Sequence, residues 1–262
     1  MSEPLDEHLD ALDEMLEAMA EDDTARKMRK QVQPLRGIRG VPNREVAAIT
    51  RAAWEEFEPR LPRDSEALRA LFSRAWEDGL VAMGLAAACL PDAPSSALDL
   101  ADVWLDQVDD LGTADTLGWL LWGPALLATG QAAGEVLAAR RGSEAPFVRR
   151  AAVMAALAFL PIPVEGPAAA ALRERLGETR IQWVADPQST AIHAVCDAFL
   201  RDEHPAVRKA LRRLLRTWGQ SDPSAVVTWA EMVRGGLPKL LKDEVRRAQR
   251  RAEREADPGA PA

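Results

Sequence analysis

Two adjacent arginines, Arg149 and Arg150, begin an apolar helix just after the loop Gly142-Ser143-Glu144. A guanidinium is a planar fork of donors that matches phosphate and carboxylate oxygens. A pair at the start of a rigid helix could therefore project into a groove and hold an anion. Ala151, Ala152, Met154, Ala155 and Leu157 continue the segment. Its small alanines let a neighbour approach closely, as the inner helix of a helical pair requires. The familiar catalytic constellations are missing: the chain has no Gly-rich phosphate loop followed by Lys-Ser/Thr and no nucleophile elbow. His8, His193 and His204 are scattered, and Cys89 and Cys196 lack metal-ligand partners at suitable spacing. His204, just before Pro205, reads as a helix-start residue, and both cysteines read as buried free thiols. Any catalysis would have to rely on a carboxylate and arginines, without metal, thiol or histidine.

The charge is distributed unevenly. Across 262 residues the net charge is −8, but residues 1–23 carry ten acids and no Lys or Arg. Residues 24–44 hold seven basic side chains and no acid, residues 75–139 ten acids and no base, and residues 201–254 fourteen bases against seven acids. Basic surface is thus confined to particular segments, and the global balance does not exclude a polyanionic partner. The acidic N-terminal helix could compete with such a partner for that surface. Solvated helix faces are the plainer account of the same charges.

The positioning elements are helical. Leu5, Leu9, Leu12, Leu16 and Met19 recur at helical spacing. A second helix starts near Asp23-Thr24 and stops at Pro34; Asn43 is placed to cap the third. The pattern predicts further helices over 43–58, 64–76, 77–90, 95–109, 113–121, 124–140, 145–160, 167–176, 187–201, 204–219, 222–235 and 237–254. No Val/Ile/Thr alternation of the kind a sheet needs is present. The fold class expected is all-α, an α-α superhelix (solenoid) of HEAT-like helical pairs. Its expected divisions are an acidic helix at 1–23, the repeat domain at 24–240, and a charged C-terminal helix with a frayed tail at 241–262. No apolar run approaches membrane-spanning length, so a cytoplasmic location is expected.

Three segments carry a resemblance. The first runs from Ala25-Arg26-Lys27-Met28-Arg29-Lys30 through Pro34-Leu35-Arg36-Gly37-Ile38 to Val41-Pro42-Asn43-Arg44. The second is Trp104-Leu105-Asp106-Gln107-Val108-Asp109, joined by Phe147-Val148-Arg149-Arg150-Ala151-Ala152-Val153. The third is Arg201 to Arg216, containing His204-Pro205-Ala206-Val207-Arg208-Lys209-Ala210-Leu211-Arg212-Arg213, followed by Asp222-Pro223. In order, spacing and character they resemble the AlkD-like DNA alkylation repair proteins, bacterial glycosylases built from HEAT-like repeats, over about 25–240. Active members excise cationic alkylpurines such as 3-methyladenine and 7-methylguanine, cradling the duplex backbone without flipping the base into a pocket.

The resemblance implies that Asp109 is the electrostatic catalyst and Arg150 the phosphate-binding arginine. It further implies that Arg149, Arg44, Arg213, Arg208, Lys209, Lys27 and Lys30 line a DNA-binding concave face. Leu105 stands where the family has a lesion-flanking tryptophan, with Trp104 one residue earlier, and Arg213 replaces a second tryptophan. Taken without the family, Asp109 reads as a helix-end residue, Arg150 as the partner of a neighbouring acid, and the tryptophans as core. No cofactor and no metal are implied. The expected partner is duplex DNA bound by a monomer, with no membrane. The alternative is a non-enzymatic repeat module for nucleic acid or a protein partner.

Overall fold

The computed structural model describes residues 4–160, 189–233 and 236–256. The expected helix at 167–176, Trp183 and the expected tail beyond Ala256 lie outside them. Among the described residues every regular element is helical, and the architecture is an all-α helical-repeat solenoid. After a 3-10 turn at Leu5–His8 come α1 (Leu9–Ala18), α2 (Asp22–Gln31), α3 (Asn43–Phe57), α4 (Ser65–Phe72), α5 (Trp76–Ala88), α6 (Pro94–Leu105) and α7 (Leu111–Thr116). A π turn, Leu117–Trp122, leads into α8 (Gly123–Ala128), α9 (Ala133–Ala139) and α10 (Pro146–Ala155). The remainder is α11 (Ser189–Phe199), α12 (Pro205–Ser221), α13 (Pro223–Met232) and α14 (Lys239–Ala256). Packing is chiefly between near neighbours: α3 and α4 on α5, α6 and α10 on the π turn, α10 on α12, and α12 and α13 on α14.

Leu5, Leu9, Leu12 and Leu16 are all buried, in the same core as Leu241, Val245 and Ala248 of α14. That core takes in side chains from both sides of residues 23 and 240. The acidic helix is therefore seated in the solenoid, and removing residues 1–23 would uncover core leucines. Its polar side is committed as well, since Asp13 and Glu17 both pair with Arg39, which also holds the buried Asp78.

The small-residue reading of α10 is borne out by the close approach it makes. A Cβ on Gly118 would sit 2.4 Å from the carbonyl oxygen of Ala151, and one on Gly123 would sit 2.3 Å from that of Ala155. Backbone cannot rotate away from such a contact, so only glycine lets the π turn and the start of α8 lie this close to α10. Other boundaries differ from expectation. Gly130, with φ of +66°, ends the run expected as one helix over 124–140, splitting it into α8 and α9. Asn43 is the first helical residue and caps nothing; the cap position is Pro42. His204 does start a helix, its Nδ1 accepting from the Ala206 N–H. Both cysteines are buried and outside any disulfide.

One carboxylate joins the last helices. Glu244 of α14, its side chain fully buried, accepts from Arg212 at 2.7 Å, Arg216 at 2.9 Å and Arg247 at 3.1 Å. Burial alone would raise its pKa, but the hydrogen bonds from Arg216 and Arg212 and the charges of Arg216 and Arg247 hold it down at about 2. Folded Glu244 thus binds a proton more weakly than an ordinary glutamate at 4.5. Its stabilisation is complete above that value and lost as pH falls through about 2. Because the arginines are partly solvated, Glu244→Gln should cost roughly 1–3 kcal/mol at pH 7. Chemical denaturation at pH 7 and at about pH 3 should show a smaller penalty in acid. An equal penalty at both would mean that the clamp is not electrostatic.

Candidate nucleic-acid interface

Asp109 lies in the turn between α6 and α7, and its neighbour Asp110 builds the local frame. Fully buried, Asp110 caps α7 by accepting from the N–H groups of Gly112 and Thr113, and also from the Thr113 hydroxyl and Trp76 Nε1. Burial raises the Asp110 pKa, with these four bonds opposing it. The cap turns the chain so that half-buried Asp109 faces the loop between α2 and α3. There Oδ2 of Asp109 accepts from the backbone N–H of Leu35, while its buried Oδ1 accepts no hydrogen bond.

The same loop is tied down by Arg36. Its guanidinium lies 4.5 Å from the centroid of the Phe72 ring, donates to the Phe72 carbonyl, and reaches Thr113 Oγ1 at 2.9 Å. Desolvation lowers the Arg36 pKa, opposed first by the charge of Asp109 and then by Asp110 and Asp78. Gly79 leaves room for this side chain, since a Cβ there would meet Nη1 at 2.6 Å. The loop carries Leu35 outward, 92% exposed, beside a depression lined by Arg29, Gln33 and Arg36.

The arginine pair does not project into a groove as expected. Arg150, only 7% exposed, makes a two-pronged contact with Asp115 of α7, Nε at 2.6 Å and Nη2 at 2.8 Å, and gives Nη1 to the Ala206 carbonyl. Arg149 binds Asp202 at 2.7 Å and the carbonyls of Ser143 and Glu144. Both side chains fasten α10 to its surroundings and have no free fork for a phosphate. Trp104 and Leu105 are likewise interior. The indole of Trp104 has no exposed surface and stacks on Phe72 at 4.6 Å, and Leu105 is 1% exposed. As placed, neither presents a face to a lesion. The plainer readings of Arg150 and of these two residues match the geometry.

The exposed cations are elsewhere. Lys27 and Lys30 lie on the outer side of α2, and Arg208 and Lys209 on that of α12; among the described residues none of the four has an acidic partner. Arg44 is exposed and pairs with its neighbour Glu45. The side chain of Arg213, 43% exposed, approaches Asp115 at 3.6 Å, so Arg150 and Arg213 meet at one acid. Asp109, in the turn before α7, and Asp115, within α7, are six residues apart, on the order of 10 Å. The structure therefore gathers Asp109, Arg36, Asp115, Arg150 and Arg213 around α7. Arg36 and Asp115 were missed in the sequence, because their partners lie 35 to 77 residues away and no local spacing marks them.

Helical pairs winding as a solenoid, with exposed cations on α2 and α12, define a helical-repeat scaffold. The family model described as DNA alkylation repair enzyme matches residues 12–256, and the chain belongs to that family. Comparison with individually curated proteins gives no match. Among the described residues no helix is long and apolar enough to cross a membrane, and no group of three or more His, Cys, Asp or Glu could hold a metal ion.

Proposed function

We propose that this DNA alkylation repair protein binds duplex DNA through the exposed cations of α2 and α12 and releases cationic alkylpurines such as 7-methylguanine. The carrying observation is Asp109: one oxygen is fixed by a backbone N–H, and the other is uncommitted. When a cationic purine leaves, positive charge develops on the sugar. A fixed carboxylate beside it stabilises the transition state more than the ground state, as catalysis requires. Lys27, Lys30, Arg44, Arg208, Lys209 and Arg213 are the phosphate contacts in this reading. Arg149 and Arg150 act behind them, holding α10 and α7 in place. The loop carrying Leu35 covers the carboxylate, so the sugar reaches Asp109 only when that loop yields.

Two observations favour a second reading, a DNA-binding scaffold without catalysis. Asp109 already serves as the anchor of the Leu35 loop, and no indole faces outward at position 104. Both readings share the duplex. Affinity should fall steeply with salt, and Arg213→Gln should make the log–log slope shallower by roughly one unit. Fluorescence anisotropy at several salt concentrations checks this. Binding that ignores salt, or no binding in low salt, would leave neither reading standing and would point to a protein partner.

A further inference from the structure

A second basic site lies at the C-terminal end of the solenoid, in the cleft where α12 meets α14. The helices can approach because Gly219 faces Ala248; a Cβ on Gly219 would lie 3.2 Å from that of Ala248. Beside this contact opens a cleft of about 520 Å³ lined by five arginines, Arg216, Arg247, Arg250, Arg251 and Arg254, against two glutamates. A pocket for an uncharged small molecule is lined mainly by apolar side chains. Guanidinium lining of this kind selects a polyanion instead.

The site is preorganised. Glu244 sits at its floor with no exposed side-chain surface and holds Arg212, Arg216 and Arg247 together. One carboxylate neutralises one of these three cations, so the fixed cluster keeps an excess of positive charge. Arg251 leans on the Gly219 carbonyl at 3.4 Å. Arg250 and Arg254 have no acidic partner among the described residues and are exposed at the mouth. The helix macrodipole accounts for one cation near the C-terminus of α14 but not for a facing wall on α12, and its effect is only about 0.3–1 kcal/mol.

We propose that this cleft is a second phosphodiester site that seats the backbone of duplex DNA beyond the Asp109 region. This rests on the DNA-binding reading above. A duplex is preferred to a free oligophosphate because the cleft continues an existing stripe. Lys209, Arg213 and Arg216 follow one another along α12 at three- to four-residue spacing, on one face. Arg213 stands at Asp115, and Arg216 already belongs to the cleft. From Arg247 to Arg254 the opposite wall adds about 10 Å, and successive phosphates of one strand advance about 3.4 Å along the duplex axis. The stripe is therefore long enough to follow several phosphates from the Asp109 region outward.

The test is the double variant Arg250→Gln/Arg254→Gln, which leaves the Glu244 clamp intact, with Arg69→Gln, at an exposed position of α4, as control. Anisotropy with a duplex of about two helical turns, near 20 base pairs, is measured at several salt concentrations, and thermal unfolding verifies the fold. The expected result is a salt slope shallower by about two units and roughly tenfold weaker low-salt binding for the double variant, with the control unchanged. Wild-type DNA binding with an unaltered slope in the double variant would overturn this inference alone. Failure of the wild type to bind any duplex would overturn the DNA-binding reading with it. Calorimetry with inorganic tripolyphosphate separates the sources: uptake lost in the double variant while its duplex slope stays unaltered would assign the cleft to free oligophosphate.

Discussion

Asp109→Asn is expected to leave a folded protein with wild-type affinity for duplex DNA and no release of 7-methylguanine above the spontaneous rate. The substitution suits the question because it removes charge and little else. The amide oxygen can still accept from the Leu35 N–H, so the loop stays anchored, and the NH2 group replaces the unpartnered oxygen. Arg36 loses one of three nearby negative charges, Asp109, but keeps Asp110 and Asp78. The effect on stability should be within about 1 kcal/mol. Loss of a single preorganised electrostatic contact costs about 10²–10³-fold in rate, enough to bring a weak activity down to background. If the asparagine variant releases base as fast as wild type, Asp109 is an anchor and not a catalyst.

Arg150→Ala is expected to act on stability first. Its guanidinium is buried, makes a two-pronged contact with Asp115 and donates to the Ala206 carbonyl, joining α10 to α7 and α12. Removing one partner of a buried pair costs about 3–5 kcal/mol. Asp115 keeps some exposure and retains Arg213 at 3.6 Å, which reduces the loss. The expected penalty is roughly 2–3 kcal/mol, a fall in Tm of about 5–10 °C. Arg213→Gln should do the reverse, changing DNA affinity with little change in Tm. An Arg150→Ala protein as stable as wild type but weak on DNA would return Arg150 to the phosphate-binding role expected from the sequence.

The two cases show what the sequence could reveal. Leu5, Leu9, Leu12 and Leu16 declare their helix and its buried face, because hydrophobic periodicity is local information. Ala151 and Ala155 likewise announced a close neighbour, and Gly118 and Gly123 provide the other side of that contact. Ion-pair partners are not local. Arg150 looks the same in sequence whether it meets a phosphate or Asp115, and the choice is made by packing across 35 residues. Trp104 likewise looks the same in sequence whether it faces a ligand or the core; packing turns it onto Phe72, with Leu105 beside it in the interior. Gly130 is a local signal too, since a glycine after Thr129 is a common helix ending, but the apolar periodicity on both sides of it masks the break. In sequence the arginines of α14 look like a solvated helix face; the Glu244 clamp that organises them depends on Arg212 and Arg216 of another helix.

On the proposed reading this scaffold uses a fixed carboxylate to release a cationic purine from duplex DNA. Single-turnover base release tests it most directly, with protein in excess over a duplex containing 7-methylguanine and the spontaneous loss measured in parallel. Release by the wild type is expected to be slow, faster than the spontaneous rate, and absent in Asp109→Asn. Wild-type release at the spontaneous rate, with the duplex fully bound, would contradict it and leave a DNA-binding scaffold.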